Sequence, residues 1–448
     1  MSEGLFGPIF VPDEIREAVG SRAWLQAMLD AEGALTVAQA RAGMIPAEVA
    51  EAISERCDAE RFDPGKLGRE GRAAGNPVSA LVKALTEAVP GDAARHVHKG
   101  ATSQDIMDTA AMLVARRTLD LVLADLDRLA AACARLADDH RETIMPGRTL
   151  LQQALPTTFG LKAAGWLVSV LEVRQRLVAV READLAAQLG GAAGTLASLG
   201  PNGIQVLKEF ARELGLAEPV VPWHTTRLRV AGLGGVLALA AGVAHKLALD
   251  VVLMAQTEVA EVAEPQDGGR GGSSTLPHKR NPVLSVVAAA CARQVPPLAQ
   301  TLGAAMSQEH ERAAGAWHAE WETLSDALAL TGGAVAAMRE VTEGLQVYPD
   351  RMRENLDATE GLLLAEKVTT VAAEKLGRLE AHELVQAAAR RTADGGKPFR
   401  EELLAEPDLR EVLSPEEVDA ALDPAGYLGS AEAFVQRALN FYRKEGPA

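Results

Sequence analysis

The run Asp267-Gly268-Gly269-Arg270-Gly271-Gly272-Ser273-Ser274-Thr275-Leu276-Pro277-His278-Lys279-Arg280-Asn281-Pro282 concentrates more chemistry than any other stretch of the chain. Four glycines in five positions let a backbone bend freely and approach a ligand closely. Two adjacent hydroxyls, Ser273 and Ser274, then precede His278, Lys279 and Asn281. Asn281-Pro282 reads as a helix start, with Asn as N-cap and Pro in the first helical position. Hydroxyls, a fixed positive charge and a helix N-terminus at one point suit a carboxylate ligand.

Two more polar islands stand at or near expected helix ends. One is His98-Lys99-Gly100-Ala101-Thr102-Ser103-Gln104-Asp105. The other is Gly147-Arg148-Thr149-Leu150-Leu151-Gln152, with Pro156-Thr157-Thr158 behind it. Taken singly, each has an ordinary reading: a Gly-Ser-Ser loop is a flexible connection, Thr-Ser a helix cap, a lone histidine a structural one. The run Gly232-Leu233-Gly234-Gly235 follows no strand signal and reads as close helix packing rather than a phosphate loop.

The elements that must position these islands read as long helices. Leu119, Val122, Leu126, Leu129, Cys133 and Leu136 step by three or four, predicting a helix over about 110–140. Trp166, Val170, Val173, Leu177 and Val180 predict a second, over about 161–189. A third, over about 233–262, is apolar nearly all round in its first half and is expected at the centre of a bundle. A fourth is expected from Pro282, with Val283, Val286, Val287, Ala290 and Val295 as its stripe. Helices this long and apolar have more stripe than one bundle covers, which predicts oligomerisation through the middle of the chain. Turn signals at 43–46 and 63–65 mark a shorter-stepped N-terminal part, and breaks at 394–396, 414–415 and 423–424 divide a helical C-terminal part. The division expected is 1–110, 111–350 and 351–448: an all-α chain of three helical domains around a long-helix bundle.

Bulk composition narrows the function. The 448 residues are 48% hydrophobic and only 4% aromatic, favouring packed helices, and the net charge of −16 argues against nucleic acid or an anionic membrane as partner. An anionic substrate must then be drawn by local cations such as Lys279. Cys57, Cys133 and Cys291 lie far apart with no metal-like spacing and read as reduced, buried thiols. No basic stretch followed by an apolar run opens the sequence, and Val230–Ala244 is too short to span a bilayer, so a cytoplasmic protein is expected.

Together, and in this order, the islands resemble those of the fumarase/aspartase superfamily. Residues 272–282 match its signature loop, with Leu276 where methionine is usual. Glu366-Lys367-Val368, Ala381-His382-Glu383 and Tyr427-Leu428-Gly429 resemble the adenylosuccinate-lyase branch, so the likeness runs through nearly the whole chain. The resemblance implies an all-α tetramer built on a long-helix core, with each active site assembled from islands of three subunits. It implies addition or elimination beta to a carboxylate, without metal or cofactor. It assigns Ser273 as the proton-transfer residue, with Lys279 and Asn281 on the substrate carboxylate; His98 joins the catalytic set by its position beside a substrate island. Thr102, Ser103, Gln104, Thr149, Gln152, Ser274 and His278 are then the expected substrate-binding residues. No Ala-Ser-Gly triplet exists to make the electrophilic cofactor of the aromatic ammonia-lyases.

One departure sharpens the reading. Relatives that protonate a poor leaving group carry a histidine where this chain has Leu150. Leucine transfers no proton, so either another residue supplies the acid or the group that leaves or attacks is already a stable anion. A carboxylate, with a pKa near 4, meets the second condition. That implies the branch in which a carboxylate adds across a double bond of its own molecule to form a lactone. The stretches Gly315-Ala316-Trp317-His318-Ala319-Glu320-Trp321 and Pro222-Trp223-His224-Thr225 resemble that branch, and indoles lining a pocket suit a compact unsaturated di- or tricarboxylate. Leu228 stands where an acid is expected. The competing readings are a lyase expelling another low-pKa group such as nitrite, an adenylosuccinate lyase, and a structural protein that kept the fold without catalysis.

Overall fold

Apolar residues recurring every three or four positions wind most of this chain into helices, and their spacing sets which side of each is buried. The computed structural model describes residues 5–265, 272, 276 and 279–446. Six long helices position the islands: α1 (Ser21–Arg41), α2 (Ser103–Asp139), α3 (Phe159–Ala179), α4 (Leu228–Met254), α5 (Val283–Ala304) and α6 (Ala316–Glu343). One compact unit comprises Met1–Leu126, Glu172–Lys246 and Val286–Met338; the other comprises Asp127–Leu171, Leu247–Ser285 and Arg339–Ala448.

The expected stripes of α2 and α3 are buried at every position. Helix α2, 37 residues and about 55 Å long, begins earlier than expected, because Thr102 to Asp105 form its first turn. Helix α3 ends ten residues before the expected Leu189; Val180–Asp184 wind as a single π turn, and Ala186 then bridges Ala217. Helix α1 buries Leu25, Leu29 and Leu35, but it also buries Glu32, Thr36 and Gln39 completely.

One helix leaves apolar surface uncovered within the single chain, and another corrects the sequence reading. Helix α4 is not enclosed on all sides: Leu233, Leu237, Ala244 and Val251 are buried, whereas Leu228, Leu239 and Leu249 are 66%, 53% and 43% exposed. Its 27 residues are long and apolar enough to cross a membrane by length and composition, although it also carries Asp250, which accepts a hydrogen bond from Trp166 Nε1 at 2.8 Å. Helix α5 buries small residues instead of its valine stripe: Ser285, Ala288, Cys291 and Ala292 face inward with Val295, and Val286 points out at 53% exposure.

The second island leads into the start of α3, where Thr158 Oγ1 accepts from Leu161 N at 3.1 Å, but it is not itself helical. It is a β-hairpin, β1 (Ile144–Thr149) against β2 (Gln152–Thr158), with Thr149 opposite Gln152. A shorter pair, β3 (Val262–Ala263) and β4 (Gln346–Val347), ties the chain before the signature loop to the end of α6. The C-terminal breaks fall as expected. Gly395 adopts a positive φ just after the helix Arg378–Ala393, Ser414 forms a capping box with Glu417, and Asp423 caps the turn Pro424–Tyr427. Cys133 and Cys291 are buried and Cys57 half-buried; burial pushes each thiol up to about 12, with Glu32 and Asp30 adding to the effect at Cys57.

Candidate active site

The first island is the start of α2, and its fold follows from one carboxylate. Asp105 lies in the third helical position and reaches back to accept from Thr102 N at 2.9 Å. It also accepts from Gly190 N and Gly191 N, each at 2.9 Å, and lies 2.6 Å from His224 Nε2. The glycine segment can come this close because Gly190 has no Cβ, which would sit 2.7 Å from the His224 ring and 2.8 Å from Pro222. Thr102 therefore stands just before the helix, and the capping carboxylate is that of Asp105. The Thr102 hydroxyl and that of Ser103 make no hydrogen bond among the described residues, and both residues are half-buried.

Gln104 departs from expectation. It is fully buried, its Nε2 donates to His224 O at 2.8 Å and to Asp108 at 3.1 Å, and its Oε1 accepts from Arg312 at 2.8 Å. These bonds tie the island to His224, Asp108 and Arg312. Behind it, Arg227, 2% exposed, bridges Asp108 at 2.7 and 3.0 Å and Glu320 at 2.5 to 3.1 Å. Burial alone would lower the guanidinium's pKa, but the two carboxylates reverse this and hold it charged. Burial pushes the Glu320 carboxyl above its usual range; Arg227 offsets this in part, and the Asp108 charge adds to it. With two acids to one base, Glu320 is the member pushed towards protonation.

Trp317 belongs to this core, donating from Nε1 to Asp108 at 2.9 Å. Trp321, with Trp24, Met107 and Ser325, borders a cavity of about 1340 Å³. The expected site residue His98 adopts a positive φ of 58° and places Nδ1 2.6 Å from the buried Glu32. Burial lowers the imidazole's pKa, but the Glu32 hydrogen bond and charge, with that of Asp105, outweigh it, and the net direction is upward.

In the other unit the hairpin presents the second island. Arg148 is half-buried and spent, bidentate to the buried Glu261 at 2.7 and 2.9 Å, while Asn355 donates to the same carboxylate at 2.9 Å. Thr149 and Gln152 are exposed. Between them Leu150 and Leu151 both take positive φ, 51° and 64°, and are 98% and 74% exposed. A two-residue hairpin loop with both φ values positive favours Asn-Gly; leucine there is strained.

Of the third island, Ser273, Ser274 and His278 lie outside the described residues. Gly272 and Arg280 pair as an antiparallel bridge, Lys279 is exposed, and Asn281 is half-buried. The start of α5 corrects one element of the reading. Glu264 accepts from Leu284 N at 3.1 Å, and from Ser285 N and Oγ at 2.7 and 2.6 Å. The protein's own carboxylate already occupies these two amides at the helix N-terminus. Sequence reasoning missed Glu32, Glu261 and Glu264, whose partners lie 20 or more residues away and leave no local signal. Among the described residues no group of three or more His, Cys, Asp or Glu could hold a metal ion.

Comparison with known proteins shows the family and the fold. Residues 11–296 match the family model described as lyase, and residues 361–438 match the adenylosuccinate lyase C-terminus. The chain is 47% identical to a 3-carboxy-cis,cis-muconate cycloisomerase of Bradyrhizobium diazoefficiens, covering 98% of each. It is 46% identical to a nitrosuccinate lyase of Streptomyces davaonensis, covering 98% of this chain and 95% of that one. The crystal structure of the 3-carboxy-cis,cis-muconate lactonizing enzyme from Pseudomonas putida superposes with a TM-score of 0.92 at 44% identity, covering 99% of this chain and all of that one.

Proposed function

Because the chain belongs to the lyase family of fumarase and aspartase, we propose that it is a cycloisomerase closing 3-carboxy-cis,cis-muconate to 4-carboxymuconolactone. The observation that carries this reading within the family is Leu150, fully exposed at the hairpin tip where an acid-bearing relative has histidine. In the reaction a substrate carboxylate oxygen bonds to an alkene carbon, the π bond breaks, and its electrons pass onto the neighbouring carboxylate. Ser273 then delivers a proton to carbon. The attacking group enters as an anion and needs no proton removed, so one proton-transfer residue suffices.

Lys279, Asn281, Thr102, Ser103, Thr149, Gln152, Ser274 and His278 are proposed to hold substrate carboxylates, and the free Thr102 and Ser103 hydroxyls support that role. Gln104 acts behind them. The exposed leucines of α4 and of the hairpin tip support a homotetramer whose sites are completed by other copies of the chain; light scattering checks its mass. A cytoplasmic, cofactor-free enzyme of three helical segments fits this reading.

Replacing Ser273 with Ala is expected to preserve folding and assembly and to lower turnover by about a thousandfold or more. Loss of the muconate diene absorbance reads the reaction; near-normal lactonisation by Ser273→Ala would sink the serine assignment. The nearly equal identity to the nitrosuccinate lyase favours elimination of nitrite as a second reading. Release of nitrite from nitrosuccinate, without cyclisation of the muconate, would select it.

A further inference from the structure

Helix α1 is a core helix that buries three polar side chains on one side. Two of them, seven residues apart, hold the same turn of the first island. Gln39 Nε2 donates to Lys99 O at 2.6 Å, and Glu32 Oε1 lies 2.6 Å from His98 Nδ1. The Glu32 side chain is 1% exposed and that of His98 18% exposed. The second Glu32 oxygen is buried with no hydrogen-bond partner. Such a carboxylate is costly in a core unless a cation neutralises it, and the imidazole is the group in contact with it.

We propose that Glu32 is a positioning residue of the active site: it fixes the His98 ring through Nδ1 and keeps it an imidazolium, presenting Nε2–H as a charged donor to a substrate carboxylate beside Thr102 and Ser103. A ring turned in this way would stabilise the charge that builds on the carboxylate as the lactone oxygen attacks, and would not donate the transferred proton. The left-handed backbone at His98 fits the same role, since a strained residue persists only where its surroundings over-determine it. Other charged or titratable groups near the pair are Asp105 from α2, whose charge acts on His98, and Cys57, on which the charges of Glu32 and Asp30 both act; Lys99 follows His98 in the chain. Asp105 reinforces the charged ring, as does Glu32 itself, and burial opposes both.

The inference rests on the cycloisomerase reading, and two readouts separate them. In the first, His98 is titrated by NMR in the intact protein, its resonance assigned by loss in His98→Gln. The wild-type ring is expected to titrate above the ordinary histidine value of about 6.5, and Glu32→Gln to bring it down. In the second, kcat/KM for lactonisation is followed against pH. Wild-type activity falls as pH rises through the raised imidazole value. Glu32→Gln should lower kcat/KM about tenfold to a hundredfold near neutrality and move that fall to lower pH. Glu32→Asp, which keeps the charge, should regain part of both and also serves if the glutamine variant folds poorly. Loss of activity in Glu32→Gln with His98 titrating as before, or with an equal loss at every pH, would overturn the proposal in favour of a packing role. A wild type that titrates as expected but cyclises no muconate would instead remove the cycloisomerase reading.

Discussion

The first island and the hairpin tip are both polar-flanked turns that the same resemblance marks as substrate-binding, yet they are built in opposite ways. At the first island nearly every buried polar group has a protein partner: Asp105 binds three amides and a histidine, Gln104 makes three bonds, and Arg227 bridges two acids. At the tip, Leu150 and Leu151 are exposed and backbone-strained, and only the arm below is anchored, by Arg148 on Glu261. The difference teaches that the first island is held by buried bonds within its own unit, whereas the tip keeps a strained backbone with its leucines in the open. What remains uncommitted in each, the Thr102 and Ser103 hydroxyls and the two leucines, is what is available to a ligand or another copy.

The largest expected effect attacks the first island. Arg227→Leu leaves Asp108 and Glu320 buried without their cation, and breaking such a cluster costs about 3–5 kcal/mol. Chemical denaturation measures the loss. A cost below about 1 kcal/mol would mean that the island does not depend on this network and would erase the contrast.

A smaller effect of opposite sign is expected at the tip. Exchanging Leu150-Leu151 for Asn-Gly gives the turn residues its dihedrals favour, and should stabilise the chain by about 1 kcal/mol while lowering lactonisation or weakening assembly. Thermal unfolding, light scattering and kcat/KM on one preparation read all three. A variant that is more stable and fully active would show that the leucines have no role beyond the hairpin.

How far the sequence could be read depended on whether the pattern was long and apolar. The stripes of α2 and α3 repeat often enough to fix the buried side, and the Gly-Asp and Ser-Pro signals place the C-terminal breaks by local chemistry. Helix α5 was misphased because its buried side is made of Ser285, Ala288 and Cys291, which packing chose over the more hydrophobic Val286. The hairpin was hidden: Pro146, Gly147 and Pro156 interrupt any alternation, and Leu-Leu is the reverse of a turn signal. Glu264 at the start of α5 and Glu32 behind His98 are contacts across 20 or more residues, which no local pattern encodes. For the candidate site, the islands were legible as islands, but not which of their members face inward.

The smallest stability effect tests that last distinction inside a single turn. Ser103 and Gln104 are neighbours, and sequence reasoning gave both the same role. Removing the Ser103 hydroxyl breaks no hydrogen bond among the described residues, so Ser103→Ala should change stability by less than about 0.5 kcal/mol. If the hydroxyl holds a substrate carboxylate, KM should nevertheless rise several-fold. Gln104→Ala strands the Arg312 donor, the His224 carbonyl and part of Asp108 in a buried place, and should cost about 1–3 kcal/mol. Denaturation and steady-state kinetics on the two variants separate the roles. An unstable Ser103→Ala, or a stable Gln104→Ala with only KM changed, would invert the assignment and make Gln104 the ligand after all. The expected split leaves a rigid floor, with its binding groups confined to the side chains that the fold has not used.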